Sequence, residues 1–142
     1  SDLNYLQFSN TLFNFYYEVG SIERFNKIRD RIEERVNQLS LNTIEELELS
    51  IKFNYNVCRY LWLQKDTEQA ISRIANTIKQ CKDYRTTYLL ADLYVLMGNI
   101  SKSISSKDNT LENYEVARFL YKLDENIPMM LKVEQYILKL TE

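Results

Sequence analysis

The chain has 142 residues, with 18 Lys and Arg against 20 Asp and Glu, 2 Gly, 1 Pro, 2 Cys and no His. That length suits one domain with a real core, whereas so few turn-formers exclude an all-β domain or a glycine-rich phosphate loop. A net charge of −2 leaves no electrostatic footprint for nucleic acid, and without His no ordinary enzyme, metal site or cofactor is expected.

Helical periodicity runs almost end to end. The first helix, about residues 3–19, carries Leu3, Leu6, Leu12, Phe13 and Tyr16 and stops at Gly20. Ser21 is the expected cap of the second, whose apolar stripe runs Ile22, Phe25, Ile28, Ile32, Val36 and Leu39. Its basic stretch, Arg24 to Arg35, is interleaved with Glu23, Asp30, Glu33 and Glu34 and reads as a solvated face. Thr43 and Glu46 form a capping box for a long third helix, with Ile44, Leu47, Ile51, Val57, Cys58 and Leu61 inward. Asp66 with Gln69 opens the fourth, followed by Ala70, Ile71, Ile74, Ala75 and Ile78. A fifth begins near Asp83 and contains Leu89, Leu90, Leu93, Tyr94 and Met97. The serine-rich stretch from Gly98 to Asn109 is either a continuation to about Ser103 or a loose turn; a frayed extension followed by a loop is favoured. Asp108 or Asn109 caps a sixth helix with Leu111, Tyr114, Ala117, Leu120 and Tyr121. Asn126 and Pro128 open a seventh bearing Leu131, Ile137, Leu138 and Leu140.

Breaks of two to five residues imply antiparallel hairpins, about 3–40, 43–82 and 84–124, with a terminal helix at 127–141. No stretch resembles an interdomain linker, so 1–142 is expected to be one domain. Cys58 and Cys81 are too far apart for a CxxC motif. On antiparallel helices they would sit roughly 12 Å apart at 1.5 Å per residue, beyond the ~7 Å Cα separation of a disulfide. Both read as packed small residues. No apolar run approaches the roughly 18 residues that cross a bilayer, and Ser1-Asp2-Leu3 lacks the features of a signal peptide. The expected compartment is cytoplasmic, with no membrane partner. The missing initiator Met suggests a piece of something longer.

The hairpins show self-similarity. Residues 57–71 align on 90–104 at an offset of 33, pairing Cys58 with Ala91, Ala70 with Ser103, and turn position Lys65 with Gly98. Small side chains there let two helices approach while large ones fill the flanks. These residues resemble a tetratricopeptide repeat, a helical hairpin of 34 residues that stacks into a right-handed superhelix. The fit is good at 54–78, partial at 87–104 and degenerate at 9–32, where Phe13 and Phe25 occupy small positions. Tyr114 and Ala117 of the sixth helix offer a competing alignment, which would place an insertion in the third repeat. The resemblance implies an all-α array; a non-repeating helical bundle is the alternative.

In such an array the first helix of each hairpin lines a concave groove. Steps of −5, −2, +2 and +5 from the anchors Leu12, Val57 and Leu90 trace one face of each. The first hairpin gives Gln7, Asn10, Asn14 and Tyr17; the second gives Lys52, Tyr55, Arg59 and Trp62. The third gives Arg85, Tyr88, Asp92 and Val95. Amides serve a peptide backbone, Lys and Arg take a carboxylate, and aromatic rings give rigid apolar contact. A solvated helix face would also be polar, but it seldom carries so many aromatics.

The stretch L-x-x-Y-E-x-A-R-x-L-Y-K-L, Leu111 to Leu123, lies after a serine-rich insertion and before a Pro-started last helix. It resembles the regulatory domains of Firmicute peptide-sensing transcription factors, the Rgg/MutR- and PlcR-like regulators. The resemblance implies a domain that dimerises and binds a short signalling peptide, C-terminal to a helix-turn-helix. No helix-turn-helix or basic recognition helix is found in this chain, so it is not expected to bind DNA by itself. The expected function is therefore non-enzymatic: a peptide or protein segment held in the groove, with a homodimer as the accompanying assembly. The alternative is a constitutive scaffold or homodimerisation domain with no small ligand. Glu33/Glu34 and Glu45/Glu46 are consecutive on helices, so they point apart and make poor acid–base pairs.

Overall fold

The computed structural model describes residues 2–142, and these form seven α-helices and no strand. Helices α1 (Asp2–Glu18) and α2 (Glu23–Asn37) form the first hairpin. Helices α3 (Ile44–Leu63) and α4 (Thr67–Asp83) form the second, and α5 (Leu90–Ser103) and α6 (Lys107–Leu123) the third. The last helix, α7 (Ile127–Leu140), packs on α6. The first helices of successive hairpins stack on one another, α1 on α3 and α3 on α5, as in a tetratricopeptide-like array.

Local signals position most of these elements. Thr43 Oγ1 accepts the Glu46 N–H at 3.1 Å, Asp66 Oδ1 that of Gln69 at 3.3 Å, and Asn126 Oδ1 that of Met129 at 3.3 Å. Each side chain satisfies a donor that the first helical turn leaves without a partner. Ser21 does not cap α2 through its side chain; its carbonyl instead accepts the Arg24 N–H at 3.0 Å, tightening the entry. Helix α6 starts at Lys107, so Asp108 and Asn109 lie inside its first turn rather than before it.

The helices end in one recurring device. Gly20, Lys65, Arg85, Ser105 and Glu125 all adopt left-handed backbone conformations just past a helix. In each case two N–H groups turn back: Lys65 donates to the Trp62 carbonyl and Asp66 to that of Leu61, both at 3.0 Å. This is the Schellman arrangement, which closes carbonyls the last turn would leave open. From Lys65 onward the turn residue recurs every 20 positions.

That recurrence corrects the repeat register. Gly98 is not a turn residue; it is buried within α5, and the turn of the third hairpin lies at Ser105. The offset from the second hairpin is 40, so Cys58 corresponds to Gly98, Ala70 to Thr110 and Ile74 to Tyr114. Helix α5 begins at Leu90 rather than near Asp83, because Arg85 and Leu89 both turn left-handed in the connection. Residues 38–43 and 84–89 are six-residue connections, longer than expected from the pattern. Ile44, Leu131 and Leu138 point outward rather than inward.

One apolar cluster runs from α1 to α5 and a second joins α5, α6 and α7. In the degenerate first hairpin, Phe13 and Phe25 pack edge to face at 4.7 Å between ring centroids, and both are fully buried. Aromatic rings there replace the small residues of the other hairpins. Ala70 is fully buried. Ala70→Leu is expected to overpack the second hairpin and cost about 1–3 kcal/mol in urea denaturation; a neutral result would refute its close-approach role. Cys58 and Cys81 are free and buried, and burial pushes their thiols up to about 12 and about 11. Because the thiolate is the reactive form, neither should react with an aromatic disulfide reagent at pH 8 until urea unfolds the chain. Prompt labelling of the native protein would contradict that packing.

Candidate functional site

Helices α1, α3, α5 and α7 together line a concave cavity of about 330 Å³. Arg59 is central to it. Its guanidinium carbon lies 4.1 Å from the centroid of Tyr17 on α1 and 5.6 Å from Tyr55, one turn earlier on its own helix. The Phe13 ring is also 5.6 Å away. The cation sits over these rings, an attraction that strengthens where water is excluded. No ion pair engages Arg59 among the described residues.

Two phenols of α6 fix the polar groups that α5 contributes. The Tyr121 hydroxyl donates to Asp92 Oδ1 at 2.7 Å, and the Tyr114 hydroxyl donates to Asn99 Oδ1 at 2.5 Å. Burial raises the Tyr121 pKa, and the hydrogen bond to the Asp92 carboxylate raises it further. Burial also raises Tyr114, with a smaller push from Tyr136. Both phenols therefore stay protonated donors through the physiological range. With its oxygen occupied, Asn99 has its NH₂ group left to donate. Burial, then the nearby Asp92 charge, lifts Tyr55 to about 12, with Arg59 pulling the other way. Trp62 and Val95 supply apolar wall, while Lys132 on α7 adds a second cation.

Of the residues expected to line a groove, Tyr17, Tyr55, Arg59, Trp62, Asp92 and Val95 converge on this cavity. Gln7, Asn14 and Lys52 lie on α1 and α3 outside it. Asn10 is turned inward and 4% exposed, donating to the Leu49 carbonyl at 3.3 Å and accepting from Asn56 Nδ2 at 3.0 Å. It ties α1 to α3. Arg85 is exposed on the left-handed turn after α4, and Tyr88 packs against the core in the connection before α5. Neither is on a groove-lining helix.

The register explains these placements. Moving the third anchor from Leu90 to Met97 is a shift of seven residues, nearly two full turns, so it preserves the helix face. Asp92 and Val95 stay on the stripe, Arg85 and Tyr88 fall off its start, and Asn99 enters. The same 40-residue step from Asp92 and Leu96 reaches Lys132 and Tyr136, which with Met129 form the α7 wall. The corrected stripe at that offset picks out Lys132 alone.

Among the described residues no cluster of three or more His, Cys, Asp or Glu could hold a metal, and no helix is long and apolar enough to cross a membrane. Stacked hairpins with an open, chemically mixed concave face define a tetratricopeptide-like regulatory repeat domain. The chain matches the RNPP family C-terminal domain over residues 2–134, from the start of α1 into α7, and it belongs to that family. This is the C-terminal regulatory domain of Rgg- and PlcR-like quorum-sensing transcription regulators, a peptide-sensing module. No curated protein and no solved structure matches the chain.

Proposed function

We propose that the concave cavity holds part of a short, extended signalling peptide and that the domain passes occupancy to the rest of its regulator. The observation that carries this reading is the gathering of Tyr17 from α1, Arg59 and Trp62 from α3, Asn99 from α5 and Lys132 from α7 around one opening. A cavity of about 330 Å³ encloses only a small part of a peptide. The remainder would follow the stripe past Asn14, Lys52 and Gln7. A peptide touching α1, α3, α5 and α7 at once favours one curvature of the array, which is how binding becomes a population shift. We read the site as non-enzymatic, in keeping with a regulatory domain family. Its partners are peptide and, through another face, a second copy; DNA contact belongs to other parts of the regulator.

Thermal-shift screening against short peptides tests this. A ligand at about 100 times its Kd adds roughly 2.7 kcal/mol of stability. Val95→Phe, which fills the cavity from a half-buried wall position, should abolish that gain while leaving the unliganded melt intact. A retained shift in that variant would move the site elsewhere. The second reading, a constitutive homodimer or scaffold, is favoured by exposed Phe119, Leu123, Ile127 and Leu131 on α6 and α7. A scaffold would sediment as a dimer and gain nothing from any peptide.

A further inference from the structure

We infer that Arg59 is a carboxylate anchor, so that the ligand of this cavity must present a carboxylate to it. This rests on the peptide reading above and specifies the chemistry that reading leaves open. The guanidinium carbon lies over the Tyr17 ring at 4.1 Å and the Tyr55 ring at 5.6 Å, contacts that restrain the side chain. The N–H groups lie on the edges of the guanidinium, and among the described residues no carboxylate pairs with them. A guanidinium fork matches a carboxylate with two parallel hydrogen bonds, which a lysine cannot offer.

The arginines elsewhere differ. Arg73 is paired with Glu33 and also donates to Asn54 Oδ1, while Arg29 approaches Asp30 at 3.8 Å. Arg35 stacks on Tyr5 at 4.1 Å but on an exposed surface. Among the described residues, Arg59 is the one ring-stacked arginine that is half-buried and has no acid partner. The cavity's own acid, Asp92, has one oxygen engaged by Tyr121, and Lys132 adds a further positive charge. One carboxylate facing two cations leaves room for one more negative charge. A doubly charged phosphate would meet repulsion from Asp92, so a carboxylate is the better fit. It could be a peptide's C-terminus or an Asp or Glu side chain.

Trp62 is the only tryptophan in the chain and it lines this cavity, so its fluorescence reports on the site directly. Three hexapeptide mixtures serve as probes: free-acid without Asp or Glu, amidated without Asp or Glu, and amidated with one Glu. The carboxylate-bearing mixtures should perturb Trp62 at concentrations roughly ten- to a hundredfold below the neutral amide, the ratio expected for a charge-assisted pair. A response confined to the free acid assigns the C-terminus; one confined to the Glu-containing amide assigns a side chain. Arg59→Gln should erase the preference, and Arg59→Lys should restore only part of it, with circular dichroism melts checking the fold. An equal response of the native chain to all three mixtures would overturn the anchor whatever the variants do. So would a preference that survives Arg59→Gln. If no mixture perturbs Trp62, the peptide reading of the cavity fails as a whole, a different outcome from losing the anchor alone.

Discussion

Phe25→Ala is expected to cost about 3–5 kcal/mol, a large fraction of the stability of an ordinary domain. Phe25 is fully buried on α2 and reaches three rings from there. Its centroid lies 4.7 Å from Phe13 on α1, 6.0 Å from Tyr60 and 6.4 Å from Phe53, both on α3. Truncation removes the apolar surface of one ring and leaves a cavity that rigid helices on two sides collapse only partly. The edge-to-face contact adds about 0.5–1.5 kcal/mol beyond its area. Urea denaturation measures the loss, and Phe8→Ala, at a ring 64% exposed, provides the control. That control should stay within about 0.5 kcal/mol of the native chain. A Phe25→Ala loss below about 1 kcal/mol would mean that the first hairpin is not the close-packed unit its rings describe. The effect should also reach the cavity, because Phe13 stacks beside Tyr17 at 6.0 Å and both rings face Arg59. Loosening that nest should therefore change Trp62 emission before global unfolding.

Caps and faces were legible in the residues because both are local. Thr43 with Glu46, Asp66 with Gln69, and Asn126 before Pro128 each mark a helix start within four positions. Helix ends were harder. Lys65, Arg85, Ser105 and Glu125 adopt a conformation usually marked by glycine, and nothing in those side chains announces it. The pattern shows only when the turns are compared with one another. Asn10 escaped for another reason: a polar residue on a helix reads as exposed unless its partner is known, and Asn56 is 46 positions away. Six of the expected residues still line the cavity, and two of them, Asp92 and Val95, do so because a slip of seven positions rotates the α5 face by only about 20°. The α7 wall is not legible because the groove stripe takes the first helix of each hairpin and leaves the terminal helix out. Its lining residues carry no marker beyond their repeat spacing.

Gly98→Ala puts the corrected register to the hardest test. At an exposed helical site this change would stabilise by about 1 kcal/mol, since glycine is a poor helix former. Here a Cβ would stand 2.5 Å from the Cδ1 and Cε1 atoms of Tyr114. That ring has little freedom to withdraw. It is 2% exposed, its hydroxyl is held by Asn99 at 2.5 Å, and it packs against Tyr136 with centroids 5.6 Å apart. Moving it must separate α5 from α6 or release Asn99 into the cavity. The clash should outweigh the propensity gain and leave a net loss of about 1–3 kcal/mol, the usual cost of overpacking. Gly20→Ala supplies the comparison. Its Cβ would meet nothing within 4 Å, so only the strain of φ +74° opposes it. That strain costs about 1–2 kcal/mol for a residue other than glycine or asparagine. The two losses then differ in a second readout: Gly98→Ala should weaken ligand-induced stabilisation through Asn99, and Gly20→Ala should not. If Gly98 were instead a left-handed turn residue like Gly20, alanine there would cost only that strain and leave ligand-induced stabilisation intact, and the 40-residue repeat would fall with it.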